Sequence, residues 1–328
     1  MKCSWLMPVV VGMLGVMFVV SLLVGRVWLG PLQILHELTV PTPRLAALIV
    51  TELRLPRAVL ACIVGATLGL SGAVLQGLTR NPLAEPGLLG VSAGASLGAV
   101  IAIYFGMTSL TELSGPLMGM VGALAASALT FALGRNGGTL ALILAGTAVS
   151  GLAAALIAVA LNLAPNPYAA YEIMTWLMGS LADRSWNSVL LVLPFVVVGC
   201  AMLLHTSRGL DALSLGELQA QSLGINLQQL RVLVVLGTAL AVGATTSVTG
   251  AIGFIGLVAP HLVRPLVGHH PRRILIPAAA LGALLLLCAD IATRLIRIGP
   301  EIKLGVFTSL VGSPFFFWLV IRLRRTSP

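Results

Sequence analysis

The chain has 328 residues, of which 58% are hydrophobic and 9% charged, with mean hydropathy +1.05 and net charge +9. A soluble domain carries about 25% charged residues, and so few charges cannot cover the surface of a soluble fold of this size. An ordinary soluble enzyme and a disordered chain are excluded, and a single membrane anchor on a soluble body is disfavoured; long unbroken apolar runs, about 20 residues per span, point to a polytopic helical membrane protein rather than an outer-membrane barrel.

In chain order, the first apolar run is Trp5 to Gly25. It follows Lys2, is long for a signal peptide, and ends without a small-x-small cleavage site, so it reads as a first span. Further spans are predicted at 56–78, 88–107, 115–134, 139–162, 188–205, 231–250, 255–268, 274–296 and 304–322. The total of ten places both termini on one side, within a single membrane domain covering 1–328. Backbone polar groups in lipid must be satisfied within the segment, so each run is expected to be helical. Gly65-Ala-Thr-Leu-Gly69 and Gly94-Ala-Ser-Leu-Gly98 are small-xxx-small spacings that let helix backbones approach closely.

Between the second and third spans, Asn81-Pro82-Leu83-Ala84-Glu85-Pro86-Gly87 holds two prolines that set a tight, rigid turn. That turn is either purely structural or a gate beside a path. Beyond the fifth span, Pro165-Asn166-Pro167-Tyr168 breaks the helix, and Tyr171 to Leu181 is expected to form a short extra helix with an aromatic face. The longest loop, about 206–231, contains Ser214-Leu215-Gly216-Glu217, a capping-box pattern. Leu215 to Leu223, including Leu218 and Ala220, is expected to be a short helix stopped by Gly224, with Asn226 capping the next span. Either an interfacial connector or a docking knob for a soluble partner fits this segment.

Charge sets the orientation. Lys2, Arg80, Arg135, Arg208, Arg231, Arg264, Arg272, Arg273, Arg322, Arg324 and Arg325 fall on one side with three acids, against eight basic residues and seven acids on the other. The first side is expected to be cytoplasmic. Four arginines near span ends on the outer side, Arg54, Arg57, Arg294 and Arg297, run against that rule and call for a role of their own. No dense basic stretch with interleaved aromatics points to nucleic acid. The two lysines, Lys2 and Lys303, do not follow a glycine, so the chain has no GxxxxGK[ST] phosphate loop. No nucleophile–base motif suggests a catalytic residue. Cys3, Cys62, Cys200 and Cys288 are scattered, and His261, His269 and His270 lack a spacing that suits a shared metal. Mid-span acids of the kind that ion-coupled carriers use are also scarce.

Several strings are long enough to carry a family resemblance. Leu53-Arg-Leu-Pro-Arg57, Gly72-Ala-Val-Leu-Gln-Gly77, Asn81-Pro-Leu-Ala-Glu-Pro-Gly-Leu-Leu-Gly-Val-Ser-Ala-Gly94, Gly250-Ala-Ile-Gly-Phe-Ile-Gly-Leu-Val-Ala-Pro-His-Leu-Val-Arg264, Asp290 and Gly312-Ser-Pro-Phe315 together resemble the FecCD-type permeases. These are membrane subunits of ABC importers for ferric siderophores, haem and vitamin B12.

The resemblance runs from about residue 50 to the C-terminus. It implies a type II importer fold of ten helices, with helices 2–5 and 7–10 as an inverted repeat. It also implies a homodimer in the bacterial inner membrane, two ATP-binding-cassette subunits that hold ATP and magnesium, and a periplasmic or lipid-anchored binding protein. By the same resemblance, Ser214, Leu215, Gly216, Glu217, Leu218, Ala220, Leu223 and Gly224 form the coupling helix. Arg54, Arg57, Arg294 and Arg297 receive the binding protein, and Asn81, Leu83 and Thr139 gate the inner side. The chain itself holds no cofactor, metal or catalytic residue in this reading. The expected cargo is a metal chelate, iron-siderophore or haem, with vitamin B12 as the alternative. An ion-coupled secondary carrier is the competing class.

Overall fold

A computed structural model describes residues 5–25, 28, 30, 45–109, 111–296 and 301–326. Among the described residues the structure is helical, without strands. The helices are α1 (Leu6–Leu23), α2 (Leu55–Thr79), α3 (Val91–Tyr104), α4 (Ser114–Gly134), α5 (Gly138–Asn162), α6 (Pro167–Leu177), α7 (Trp186–His205), α8 (Ser207–Leu213), α9 (Glu217–Ser222), α10 (Leu227–Thr249), α11 (Ile255–Val267), α12 (Pro271–Leu295) and α13 (Leu304–Thr326). Each predicted span falls on one of these helices. Seven helical stretches are long and apolar enough to cross a membrane, while α3, α11 and the apolar part of α13 are shorter.

Sequence explains where several helices start. Pro167 and Pro271 occupy first-turn positions, where a missing N–H costs nothing. Asn166 caps α6 by accepting the Ala169 N–H at 2.9 Å, so this helix begins four residues earlier than the sequence suggests. Asn226 caps α10 as expected, accepting the Gln228 and Gln229 N–H groups at 3.0 Å each.

α2 and α10 are the most enclosed long helices, and α1 and α5 lie at the periphery. Packing follows a pseudo-twofold pattern. The pairs α2–α12, α3–α4 and α2–α11 have counterparts in α10–α4, α11–α12 and α10–α3. Exchanging α2 with α10, α3 with α11 and α4 with α12 maps one set onto the other, which is the inverted repeat written as packing.

Both small-xxx-small seams are used. A methyl group added to Gly65 would lie 2.3 Å from the Gly282 carbonyl of α12, and one on Gly98 would lie 2.0 Å from the Met118 carbonyl of α4. The tightest approach joins α2 to α11, where a methyl on Gly72 would meet the Gly256 carbonyl at 1.8 Å. Contact this close replaces hydrophobic drive with van der Waals packing. Gly72→Ala is therefore expected to destabilise the detergent-solubilised protein by about 1–3 kcal/mol, the usual cost of overpacking. Gly151→Ala in α5, which meets nothing within 4 Å, should not lower the unfolding temperature and should raise it slightly, because glycine inside a helix costs about 0.5–1 kcal/mol relative to alanine. Thermal unfolding of the two variants side by side checks the pair.

Two ends of the bundle can be told apart. At the knob end, Leu210 of α8 lies beside Gly77 near the C-terminus of α2, and Asp211 accepts the Arg272 N–H at 2.9 Å where α12 begins. The far end carries the N-terminus of α2 and the C-termini of α1 and α12.

Candidate functional site

The knob differs in detail from its sequence pattern. Ser207–Leu213 forms a helix of its own, so Ser214 ends α8 instead of starting α9. Its hydroxyl donates back to the Asp211 carbonyl at 2.6 Å, and no capping box forms. The α9 helix is only Glu217–Ser222, with Gly216 (φ 118°) at its N-cap. It closes as expected at Gly224 (φ 82°). There, Ile225 N–H bonds the Ala220 carbonyl and Gly224 N–H bonds the Gln221 carbonyl, at 3.0 and 2.9 Å, a Schellman closure. Ala220 is fully buried under the knob, while Leu215, Leu218 and Leu223 stand exposed, Leu218 at 75%. With Gln219 and Ser222 they line one shallow hollow. Three large apolar side chains on so short a polar loop form a surface suited to a partner.

Freed from the capping box, Glu217 has other partners. Its carboxylate accepts from Thr139 Oγ1 at 3.1 Å and from Arg231 at 3.2 Å on both oxygens. Thr139 is the second residue of α5, and Arg231 lies early in α10. Sequence reading had placed Thr139 at a gate and Glu217 in a cap, without joining them; 78 positions separate the two.

The segment after α2 turns back into the bundle. Arg80 adopts left-handed geometry (φ 51°), and Asn81 Oδ1 accepts the Leu83 N–H at 2.9 Å. Asn81 is exposed and Leu83 half-buried, but Ala84 and Pro86 are buried. Pro86 reaches Gly256 of α11, and the Leu88 carbonyl lies against Gly146 of α5. Glu85 accepts a hydrogen bond from the backbone of Phe254, the residue before α11, which itself sits at φ 68°. A carboxylate at the N-terminus of a helix is favoured by the exposed N–H groups and the dipole. Glu85 thus faces the start of α11 from the folded-back segment.

Of the arginines expected to receive a binding protein, Arg54, Arg57 and Arg294 have partners within this chain. Asp290, at 0% exposure, bonds Arg57 Nε through Oδ1 at 2.8 Å and Arg294 through Oδ2 at 2.6 Å. Arg57 also pairs with Glu301. The Arg57 and Arg294 side chains are only 12% and 6% exposed. Arg54 donates to the carbonyls of Leu22 and Leu23 at 2.7 and 3.0 Å. Arg294 donates to those of Ser21 and Val24 at 2.9 and 3.1 Å. These carbonyls close the C-terminus of α1, where helices leave acceptors without internal partners, and cations suit that end. At the far end, this positive charge meets the buried Asp290, the partly exposed Glu301 and the carbonyls that end α1. Arg297 lies outside the described residues.

Exposed residues of α5 include Leu140, Leu144, Thr147, Gly151, Ala155 and Ala158, a face of mixed apolar and small side chains open to a second body. Among the described residues no group of three His, Cys, Asp or Glu side chains is arranged to hold a metal.

The chain as a whole is similar to known proteins. The profile of the FecCD transport family matches residues 13–322. The chain belongs to the FecCD transport family. It is 41% identical over 278 residues to the hemin transport system permease protein HmuU of Yersinia pestis, covering 83% of each chain. It is 38% identical over 323 residues to the vitamin B12 import system permease protein BtuC of an Escherichia coli strain, covering 98% of this chain and 96% of that one. Among solved structures, an inward-facing metal-chelate type ABC transporter superposes with TM-score 0.85 at 33% identity, over 95% of this chain and 97% of the other. This FecCD chain is accordingly an integral membrane transport subunit, and its helical architecture is that of the type II importers.

Proposed function

We propose that the chain is the permease subunit of an ATP-driven importer that takes an iron chelate, haem or a ferric siderophore, across a bacterial inner membrane. The observation that carries this reading is the knob, an exposed apolar hollow on a membrane protein that has no phosphate loop of its own. It supplies a seat for a separate ATPase, one on each of two copies of the chain. The open face of α5 then lines a path between the copies, and access alternates from one side to the other as the ATPases close. A soluble binding protein delivers the chelate intact, with no covalent chemistry in this chain. The basic side of the sequence, with both termini, faces the cytoplasm.

Similarity to a hemin permease and to a metal-chelate transporter supports the cargo class. Vitamin B12 is the second reading, favoured by relatives of that name that match almost the full chain. Proteoliposomes holding the chain, its ATPase and its binding protein should take up haem or a ferric siderophore with ATP inside, and vanadate should stop it. Uptake driven by an ion gradient with this chain alone would overturn the importer reading; uptake of cobalamin with neither iron chelate moving would overturn the cargo.

A further inference from the structure

Three helices share one carboxylate. Glu217 opens α9, the exposed knob; it accepts from Thr139 at the start of α5 and from Arg231 at the base of α10. The three elements differ in how they are packed within the chain. α10 is among the best-packed helices of the bundle and α5 among the least enclosed. Directly before Thr139 the chain reads Gly137-Gly138, and Gly138 adopts φ 73°, a conformation that leaves the start of α5 without side-chain constraint. The remainder of α5 is seated against α4, α3 and the 86–89 turn of the folded-back segment. The link from the knob to α5 is therefore a hydrogen bond beside a glycine pair, while Arg231 ties the carboxylate to the well-buried α10.

We propose that Glu217 is the positioning residue of a relay. Displacement of the knob by the ATPase reaches α5 through the Glu217–Thr139 bond, with Arg231 setting the direction in which the carboxylate pulls. This rests on the reading of α9 as the ATPase seat. Thr139 enters as the residue that receives the motion, and Arg231 as the one that orients it. A bond of this kind works only as a donor–acceptor pair, so the hydroxyl of Thr139 matters and its methyl group does not.

The test measures cargo moved per ATP hydrolysed in proteoliposomes containing the chain, its ATPase and its binding protein. Thr139→Val removes the donor at nearly constant volume, and the ratio should fall at least threefold. Thr139→Ser restores the donor and should return the ratio to that of the unaltered chain. Glu217→Gln keeps an acceptor for Thr139 but loses the charge facing Arg231, and should fall between them. The unfolding temperature of Thr139→Val should match that of the unaltered chain. A normal ratio in Thr139→Val overturns the relay, as does a lowered ratio accompanied by a lowered unfolding temperature, the mark of a purely structural contact. Leu218→Asp separates the two levels. If the ATPase still binds that variant normally, the seat lies elsewhere and the relay falls with it; if binding is lost while Thr139→Val transports normally, the relay alone falls.

Discussion

Asp290→Ala is expected to be among the most damaging single substitutions in the chain. Its carboxylate is wholly buried and is shared by Arg57 and Arg294. Removing one member of a buried ionic cluster leaves the others desolvated and uncompensated, at a cost of about 3–5 kcal/mol. Two guanidinium groups lose their shared partner in this case. Arg294 is also a donor to the end of α1, so its displacement disturbs that helix as well. Arg57→Glu should be at least as harmful, since it sets a third carboxylate beside Asp290 and Glu301. The measurement is thermal unfolding in detergent, with yield of monodisperse protein as a second reading. Unfolding temperatures equal to that of the unaltered chain would show that the cluster is not a structural clasp.

Leu218→Asp should have the largest effect on assembly with the ATPase. Leu218 is the most exposed of the three leucines on the knob. Burying such a side chain in a partner contributes about 1.5–3 kcal/mol, a loss of about 10- to 100-fold in affinity when it is removed. A carboxylate in an apolar seat adds its own desolvation cost. Titration of the ATPase against the detergent-solubilised chain reads the loss, and affinity within twofold of normal would refute the seat. Proline is a poor probe at this position. Leu218 is the second residue of α9, where no backbone N–H bond is used. Ala220→Pro, by contrast, removes the bond from Ala220 N–H to the Gly216 carbonyl and should deform the knob.

What could be read from sequence follows from which forces are local. Apolar runs located every long helix, because lipid forces backbone hydrogen bonds into the segment itself. The glycine seams were legible for the same reason, since close approach needs only small residues at fixed spacing. The capping box was misread. Ser214 and Glu217 fit its spacing, but a separate helix took the serine and an arginine fourteen positions away took the glutamate. The far-end arginines show the limit most clearly. Their excess on the wrong side was visible as an anomaly, yet the partners of Arg294 on α1 lie 270 and 273 positions away, and no periodicity reports such a pairing. Glu85 was hidden similarly, because the Pro82 and Pro86 turn gave no sign of bending back toward Phe254.

The arginine clasp on α1 bears on how the chain is built into the membrane. α1 is one of the helices least enclosed by its neighbours. Four of its carbonyls wait for two guanidinium groups, one synthesised about thirty residues later and the other only near the end of the chain. Until Arg294 is made, the carbonyls of Ser21 and Val24 lack the donor that meets them in the folded chain. Arg294 arrives with Asp290 on α12, so α1 is clasped by a helix made some 270 residues after it.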